Sequence, residues 1–257
     1  MALVDNKELF GELEKSIRMD DFLGFEHVVK EAYVKDFVIR ACWSSNALEG
    51  NTLSLDETIS AIDYDEVRSG HTFSEYQEAK NGYRAICKSL LPLSEKKITE
   101  TWLLEANGFI MGKTGEYRKG DVYIGSAVEA VYFPPSPSRV IELMSVFFDN
   151  INFKEKTPET ILEEIARQHI EFERIHPFQD GNGRVGRIIM NQQLINNNML
   201  PIAITPTGKY RQAFRIYNKN GDVSMMVHLL AKEELEAVRR ANELAAKFKN
   251  RNECMES

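Results

Sequence analysis

Two helical patterns meet at one short polar loop, and that junction constrains the fold more than any other stretch of the chain. Thr157-Pro158-Glu159 reads as N-cap, first helical position and acidic first turn. Behind it an apolar face continues through Ile161, Leu162, Ile165, Ala166, Ile170 and Phe172, at the spacing of a helix with one buried side. A second helix is expected from near Gly183 through Val185, Ile188, Ile189 and Ile195, ended by Asn196-Asn197-Asn198 and Pro201. The segment from His176 to Gly183 must therefore turn the chain between two packed helices.

The rest of the chain is also written mostly at helical spacing. Val28, Val29, Ala32, Tyr33, Asp36 to Ile39 and Cys42 predict one helix that ends in Ser45-Asn46-Ala47-Leu48-Glu49, with Gly50 as its stop. Ser54-Leu55-Asp56-Glu57 has capping-box spacing, so another helix begins just after Asn51-Thr52-Leu53. Further helices are expected around 72–91, 95–111 and 137–151, and a charged surface helix over 232–251. Asp121-Val122-Tyr123-Ile124-Gly125 and Ala130-Val131-Tyr132-Phe133 favour β structure and end at Pro134-Pro135, which predicts a small hairpin. The expected fold class is thus all-α with one hairpin, divided into a helical region over 1–95, a core over 96–235, and a final helix and tail over 236–257.

At 257 residues and 43% hydrophobic content, one compact unit is expected. A net charge of -7 and no dense Lys/Arg run exclude nucleic acid as a direct partner, so any bound anion must be gripped locally. Cys42, Cys87 and Cys254 have no metal-ligand spacing, which fits a reducing compartment and ordinary buried or tail thiols. No apolar run reaches the roughly 18 residues of a membrane span, and Met1 to Asp5 lack a signal pattern, so a cytoplasmic protein is expected.

The loop carries chemistry. Gly181-Asn182-Gly183 at a helix start lets backbone N–H groups approach an anion, where the helix end adds partial positive charge. Arg184 and Arg187 are three apart on one helix face, and two such donors suit a di- or triphosphate. Asp180 precedes the cradle, and Mg²⁺ is typically held by one or two carboxylates plus phosphate oxygens and water. His176 titrates near neutrality, as a general base for an alcohol should, while Phe178 is expected to point inward and brace the nucleotide-binding loop. Singly, each is ordinary: an Asp-Gly-Asn-Gly string is usually a turn and an Arg pair usually a solvated face. The combination is far more specific.

His176 through Arg187 resembles the Fic family signature, His-x-Phe-x-Asp/Glu-Gly-Asn-Gly-Arg-x-x-Arg, at every specified position. The resemblance implies a Fic-type fold over roughly residues 40 to 235 and transfer of AMP from ATP to a Ser, Thr or Tyr hydroxyl of a target protein, with self-modification included. His176 would be the base and Asp180 the ligand of Mg²⁺ or Mn²⁺ on the α- and β-phosphates. Gly181, Asn182 and Gly183 would form the anion hole, with Arg184 on the β-phosphate and Arg187 on the γ-phosphate. The hairpin, over about 117–134, is similar to the family's flap, so Val122, Tyr123, Ile124 and Gly125 would align the target by strand pairing. Tyr210 and Asn218 fall where family members place adenosine contacts.

Ser45-Asn46-Ala47-Leu48-Glu49-Gly50 is similar to the family's inhibitory motif, Ser/Thr-x-x-x-Glu-Gly/Asn. The resemblance implies that Ser45, Glu49 and Gly50 restrain the site, with Glu49 pairing with Arg187 until target binding, self-association or a neighbouring modification displaces it. The same residues are compatible with removal of AMP, with transfer of UMP, phosphocholine or phosphate, or with a non-catalytic nucleotide-gated interaction module. Gly112-Lys113-Thr114 lacks P-loop spacing, and His169 reads as a satisfied core histidine. His27, His71 and His228 show no evident partners, and Met225-Met226 reads as packing.

Overall fold

The computed structural model describes residues 3–66, 69–125 and 130–256, without the side chains of 130, 131 and 251–256. Among these residues the chain forms eleven helices and one two-stranded antiparallel hairpin. None of the helices is long and apolar enough to cross a membrane. The helix pair predicted at the junction is α8 (Pro158–Ile175) and α9 (Asn182–Asn196). Thr157 caps the first through its side chain, accepting from the Thr160 N–H at 3.2 Å, with Pro158 in the first turn.

Helix α9 differs from the one-sided helix its pattern suggests, because nearly every residue along it is buried. Its polar side chains replace solvent with backbone groups of neighbouring loops and with a side chain of α8. Asn191 Oδ1 accepts from Ile202 N–H at 2.7 Å, Gln193 Nε2 donates to Gln168 Oε1 at 2.6 Å, and Asn196 bonds both backbone groups of Lys96. Such groups are affordable in a core only when satisfied, and here they fix the central helix in one axial position. The apolar side of α8, from Ile161 to Phe172, packs against Val185, Ile188, Ile189 and Leu194 in one continuous core.

The expected N-terminal helix is α3 (His27–Leu48), followed by α4 (Leu55–Asp63) behind the Ser54/Glu57 capping box. Helix α5 (Phe73–Leu90) lies against α3 so closely that a Cβ on Gly82 would come within 3.1 Å of Asn46 Nδ2. Asn46 Nδ2 donates to Glu78 O and Asn51 Nδ2 to Glu75 O, so the chain on both sides of Glu49 is fastened to α5. The remaining expected helices are α6 (Glu100–Met111) and α7 (Pro137–Asn150). α1 (Lys7–Leu13), α2 (Met19–Leu23) and α10 (Gly208–Asn220) were not expected. The final helix, α11, runs unbroken over Ser224–Glu256, longer than the charged stretch alone suggests, because Met226, Val227, Leu230 and Ala231 extend its buried face.

The hairpin is shorter than its alternation predicts: β1 is Ile124–Gly125 and β2 is Ala130–Tyr132, with an irregular register between Ile124 and Gly125. An isolated two-stranded ribbon gains little without a face to bury, and Tyr123 and Phe133 are exposed. The expected turn, 126–129, lies outside the described residues, as does the Cys254 side chain. All three histidines expected to lack partners have one: His27 Nδ1 lies 3.4 Å from Glu31 Oε2, one helical turn along α3. His71 Nε2 meets Glu57 Oε1 at 3.0 Å and its Nδ1 meets Thr52 Oγ1 at 3.0 Å, while His228 Nδ1 meets Asn6 Oδ1 at 2.9 Å. The partners of His71 and His228 lie 14 to 222 residues away along the chain, beyond what local spacing reveals.

Candidate active site

Helix α8 ends at His176, which adopts the left-handed conformation, φ 51° and ψ 60°, as the C-cap. A non-glycine residue there is strained, and the strain swings the imidazole out of the helix. Its Nδ1 lies 3.2 Å from the Glu173 carbonyl, which can only accept, so the Nδ1 proton is assigned to that bond. Nε2 is then the lone-pair nitrogen, and it has no hydrogen bond among the described residues. Burial holds His176 below the ordinary imidazole range, and Arg118 adds to this against the Glu173 carbonyl, Glu49 and Asp180. A neutral base at pH 7 follows.

The loop closes on itself through Asn182, whose side chain donates to Phe178 O and accepts from Phe178 N–H, both at 2.9 Å. Phe178 is buried against Phe172 and Tyr117, as the brace the sequence predicts; its ring faces the core rather than the cradle. Gly181 caps α9 at φ 85°, and a Cβ there would sit 3.1 Å from Asn107 Nδ2 and 3.3 Å from Met111 Sδ. Gly181→Ala should lower the melting temperature by about 2–8 °C, because a left-handed non-glycine residue costs about 1–2 kcal/mol; circular-dichroism melting checks this.

Among the described residues no side chain caps α9, so its first N–H groups keep the unpaired state that suits anion donors. Arg184 Nη2 meets Asp180 Oδ1 at 3.1 Å, and the buried Arg184 Nε has no partner among the described residues, a donor whose hydrogen bond an anion could accept. The Asp180 side chain is 64% exposed beside these groups. Opposite them stands Glu49: its Oε1 accepts from Arg187 Nη2 at 2.6 Å, and a Cβ added to Gly183 would collide with its carboxylate. Ser45 completes the contact, accepting from Arg187 Nε through Oγ at 2.8 Å and from Nη2 through its carbonyl at 2.9 Å. Gly50, at φ 102°, ends the helix immediately after.

Glu173 lies behind the base. Burial, and next the charge of Glu49, push its carboxyl up to about 8, with Arg187 opposing. It is therefore largely protonated at neutral pH, and the anionic partner of Arg187 is Glu49.

Sequence reasoning missed the residues that hold the loop in place. Arg118, 4% exposed, donates from Nε to His176 O at 2.8 Å, from Nη1 to Gly120 O at 3.1 Å and from Nη2 to Pro135 O, so it fastens both bases of the hairpin to the base-carrying turn. Asn107 Nδ2 donates to Asp180 O at 3.0 Å. These bonds join residues 58 and 73 positions apart, and no local pattern announces them. Of the hairpin residues, Tyr123 and Gly125 are exposed and Val122 and Ile124 half-buried. The two residues expected at adenosine are already occupied: Tyr210 is 6% exposed with its hydroxyl on Arg187 and His169, and Asn218 Oδ1 accepts from Arg174.

Residues 97–194 match the Fic/DOC family. The chain carries a Fic domain. Protein adenylyltransferase Fic of Culex quinquefasciatus is 30% identical over 218 residues, covering 81% of this chain and 41% of that protein; its Aedes aegypti counterpart is 29% identical over 222 residues, covering 82% and 42%. This chain thus spans about two fifths of the length of the curated relatives it matches. A Fic domain containing signaling protein from Bacteroides thetaiotaomicron superposes with a TM-score of 0.81 at 22% identity, over 93% of this chain and 97% of that one. Fic-1 (residues 134–508) from C. elegans superposes at 0.75 with 22% identity, over 93% and 72%. Both share the all-α Fic fold, in which α6 to α9 form the matched segment and α3, with Ser45 and Glu49, lies before it.

Proposed function

We propose that this chain transfers AMP from ATP to a hydroxyl of a target protein, and that Glu49 restrains the transfer. The observation that carries this reading is a neutral imidazole, His176, at the lip of a helix-start anion cradle whose outer arginine is engaged by a carboxylate. The matched relatives named protein adenylyltransferase support the same chemistry. His176 Nε2 takes the proton of a target Ser, Thr or Tyr as its oxygen bonds to the α-phosphorus. The bond from that phosphorus to the α,β-bridging oxygen breaks, and pyrophosphate leaves. Catalysis is then positioning plus charge neutralisation.

The N–H groups of Gly183 and Arg184 suit the α- and β-phosphates, with the guanidinium of Arg184 on the β-phosphate and that of Arg187 on the γ-phosphate. Asp180 fits Mg²⁺ or Mn²⁺: it is a solvent-facing hard carboxylate beside the cradle, and such an ion needs few protein ligands when phosphates supply the rest. The ion would supply charge neutralisation of the leaving pyrophosphate. Among the described residues no cluster of three or more acidic, His or Cys side chains offers an alternative site. The hairpin edge around Tyr123 would align an extended target segment, this chain's own included. Free Cys42 and Cys87 accord with a cytoplasmic setting.

The test is isotopic. Glu49→Gly protein, incubated with cell lysate, should transfer label from ATP labelled at the α-phosphate and none from ATP labelled at the γ-phosphate. Transfer of the γ-label would make the protein a kinase, and no transfer from ATP, UTP or CDP-choline would sink the transferase reading.

A further inference from the structure

The polar cluster behind Arg187 belongs to none of the roles above. Arg187 Nη1 donates to Tyr210 Oη at 3.3 Å, and Tyr210 Oη lies 2.6 Å from His169 Nε2. All three side chains are buried. The directions of the two bonds follow from chemistry. A guanidinium can only donate, so the Tyr210 oxygen accepts from it; with the His169 ring proton assigned to Nδ1, on the side of the Gly186 backbone, the Tyr210 proton is the one shared with Nε2. Burial, and then Arg187, depress His169 to about 3, so its ring is neutral and free to accept at Nε2. Burial raises Tyr210, which keeps its proton. Phe214 closes the cluster, with its ring centroid 5.2 Å from Tyr210 and 5.7 Å from His169. Gly186 lets α9 approach it, since a Cβ there would lie 2.7 Å from Glu173 Oε1 and 3.1 Å from His169 Cε1.

The nitrogens of Arg187 are divided between two bodies. Nε and Nη2 are held by Ser45 and Glu49, both from the α3 end. Nη1 is held by Tyr210 on α10, which leans on His169 on α8. When the Glu49 side chain or the α3 end withdraws, the second contact remains. We infer that Tyr210, backed by His169, is the positioning residue of Arg187, fixing Nη1 so that Nη2 alone exchanges Glu49 for the terminal phosphate of the nucleotide. This rests on the proposed reading, which sets Arg187 on that phosphate. It also gives Tyr210 a different task from the adenosine contact that resemblance implied.

ATP and ADP separate a positioning role from a structural one, because only ATP carries the phosphate in question. In the full-length Glu49→Gly protein, Tyr210→Phe should weaken ATP binding by about tenfold, the usual loss when a hydrogen bond to a charged group is removed. ADP binding, read by the same calorimetry, should stay within about twofold, since it has no group for Arg187 to hold. His169→Leu should reproduce part of the ATP defect, and His169→Gln, which keeps an acceptor for the tyrosine proton, should restore most of it. Equal losses for ATP and ADP, or no loss for either, would overturn the inference. If Tyr210→Phe melts below the assay temperature, the His169→Leu and His169→Gln pair decides by the same comparison. An Arg187→Ala control that weakens ATP and ADP alike would locate the failure in the underlying reading instead.

Discussion

In Glu49→Gly, AMP transfer is expected to rise by about tenfold, within roughly 5- to 30-fold, with the melting temperature lowered by about 2–4 °C. The estimate starts from the single charge-assisted bond between Glu49 Oε1 and Arg187 Nη2 at 2.6 Å, of a kind contributing about 1.5–3 kcal/mol when sheltered. Because the Glu49 side chain is 40% exposed, solvent screening trims that value. What remains must be given up before Arg187 can turn to a phosphate. The melting temperature should fall by only a few degrees, because removing a charge that opposes the helix dipole at this C-terminus offsets part, about 0.3–1 kcal/mol, of the lost contact with buried Arg187. A carboxylate kept where the backbone disfavours it has its reason in the Arg187 contact. Initial rates with α-labelled ATP, compared between the two proteins at equal concentration, provide the check. Unchanged or reduced transfer would show that the contact does not restrain the site.

The Glu49–Arg187 contact was reachable from the sequence through the family resemblance, because each of its two motifs is local. Ser45 and Glu49 are four apart on one helix, and Arg187 lies in a signature whose positions are all consecutive. The same holds for α8, α9 and their loop, whose caps and periodicity are written within a few residues. What stayed hidden is long-range. Arg118 falls in the stretch that resembles the family's flap, yet no local pattern shows that it is buried and gathers carbonyls from His176, Gly120 and Pro135. The resemblance puts Tyr210 at an adenosine contact, and nothing local shows that α10 turns it inward onto Arg187 and His169. His169 was expected in the core, and the structure adds what its ring is for. Helix α9 shows the same limit: its apolar spacing gives no sign that Gln192, Gln193 and Asn196 are interior, which the segments packed around them make them. Periodicity reports which side of a helix is apolar, and it is silent on which polar side chains will find partners.

In the Glu49→Gly background, His176→Ala should reduce transfer by about 10²- to 10⁴-fold, the range for loss of a positioned general base. ATP affinity should be retained, because the cradle is built from the α9 start and the two arginines rather than from the imidazole. That division separates an enzyme from a nucleotide-gated interaction module, which would lose neither property. The pH profile adds a second, independent reading. A base works only when deprotonated, so the parent's rate should climb with pH through the His176 pKa and then level off. Burial, reinforced by Arg118, holds that pKa below the ordinary imidazole value of about 6.5, so the climb belongs on the acid side of that value and the rate should be flat through neutrality. In His176→Ala the climb should vanish along with most of the rate. Persistence of the same inflection in the alanine variant would assign it to another group, and an unchanged rate would remove His176 from the chemistry.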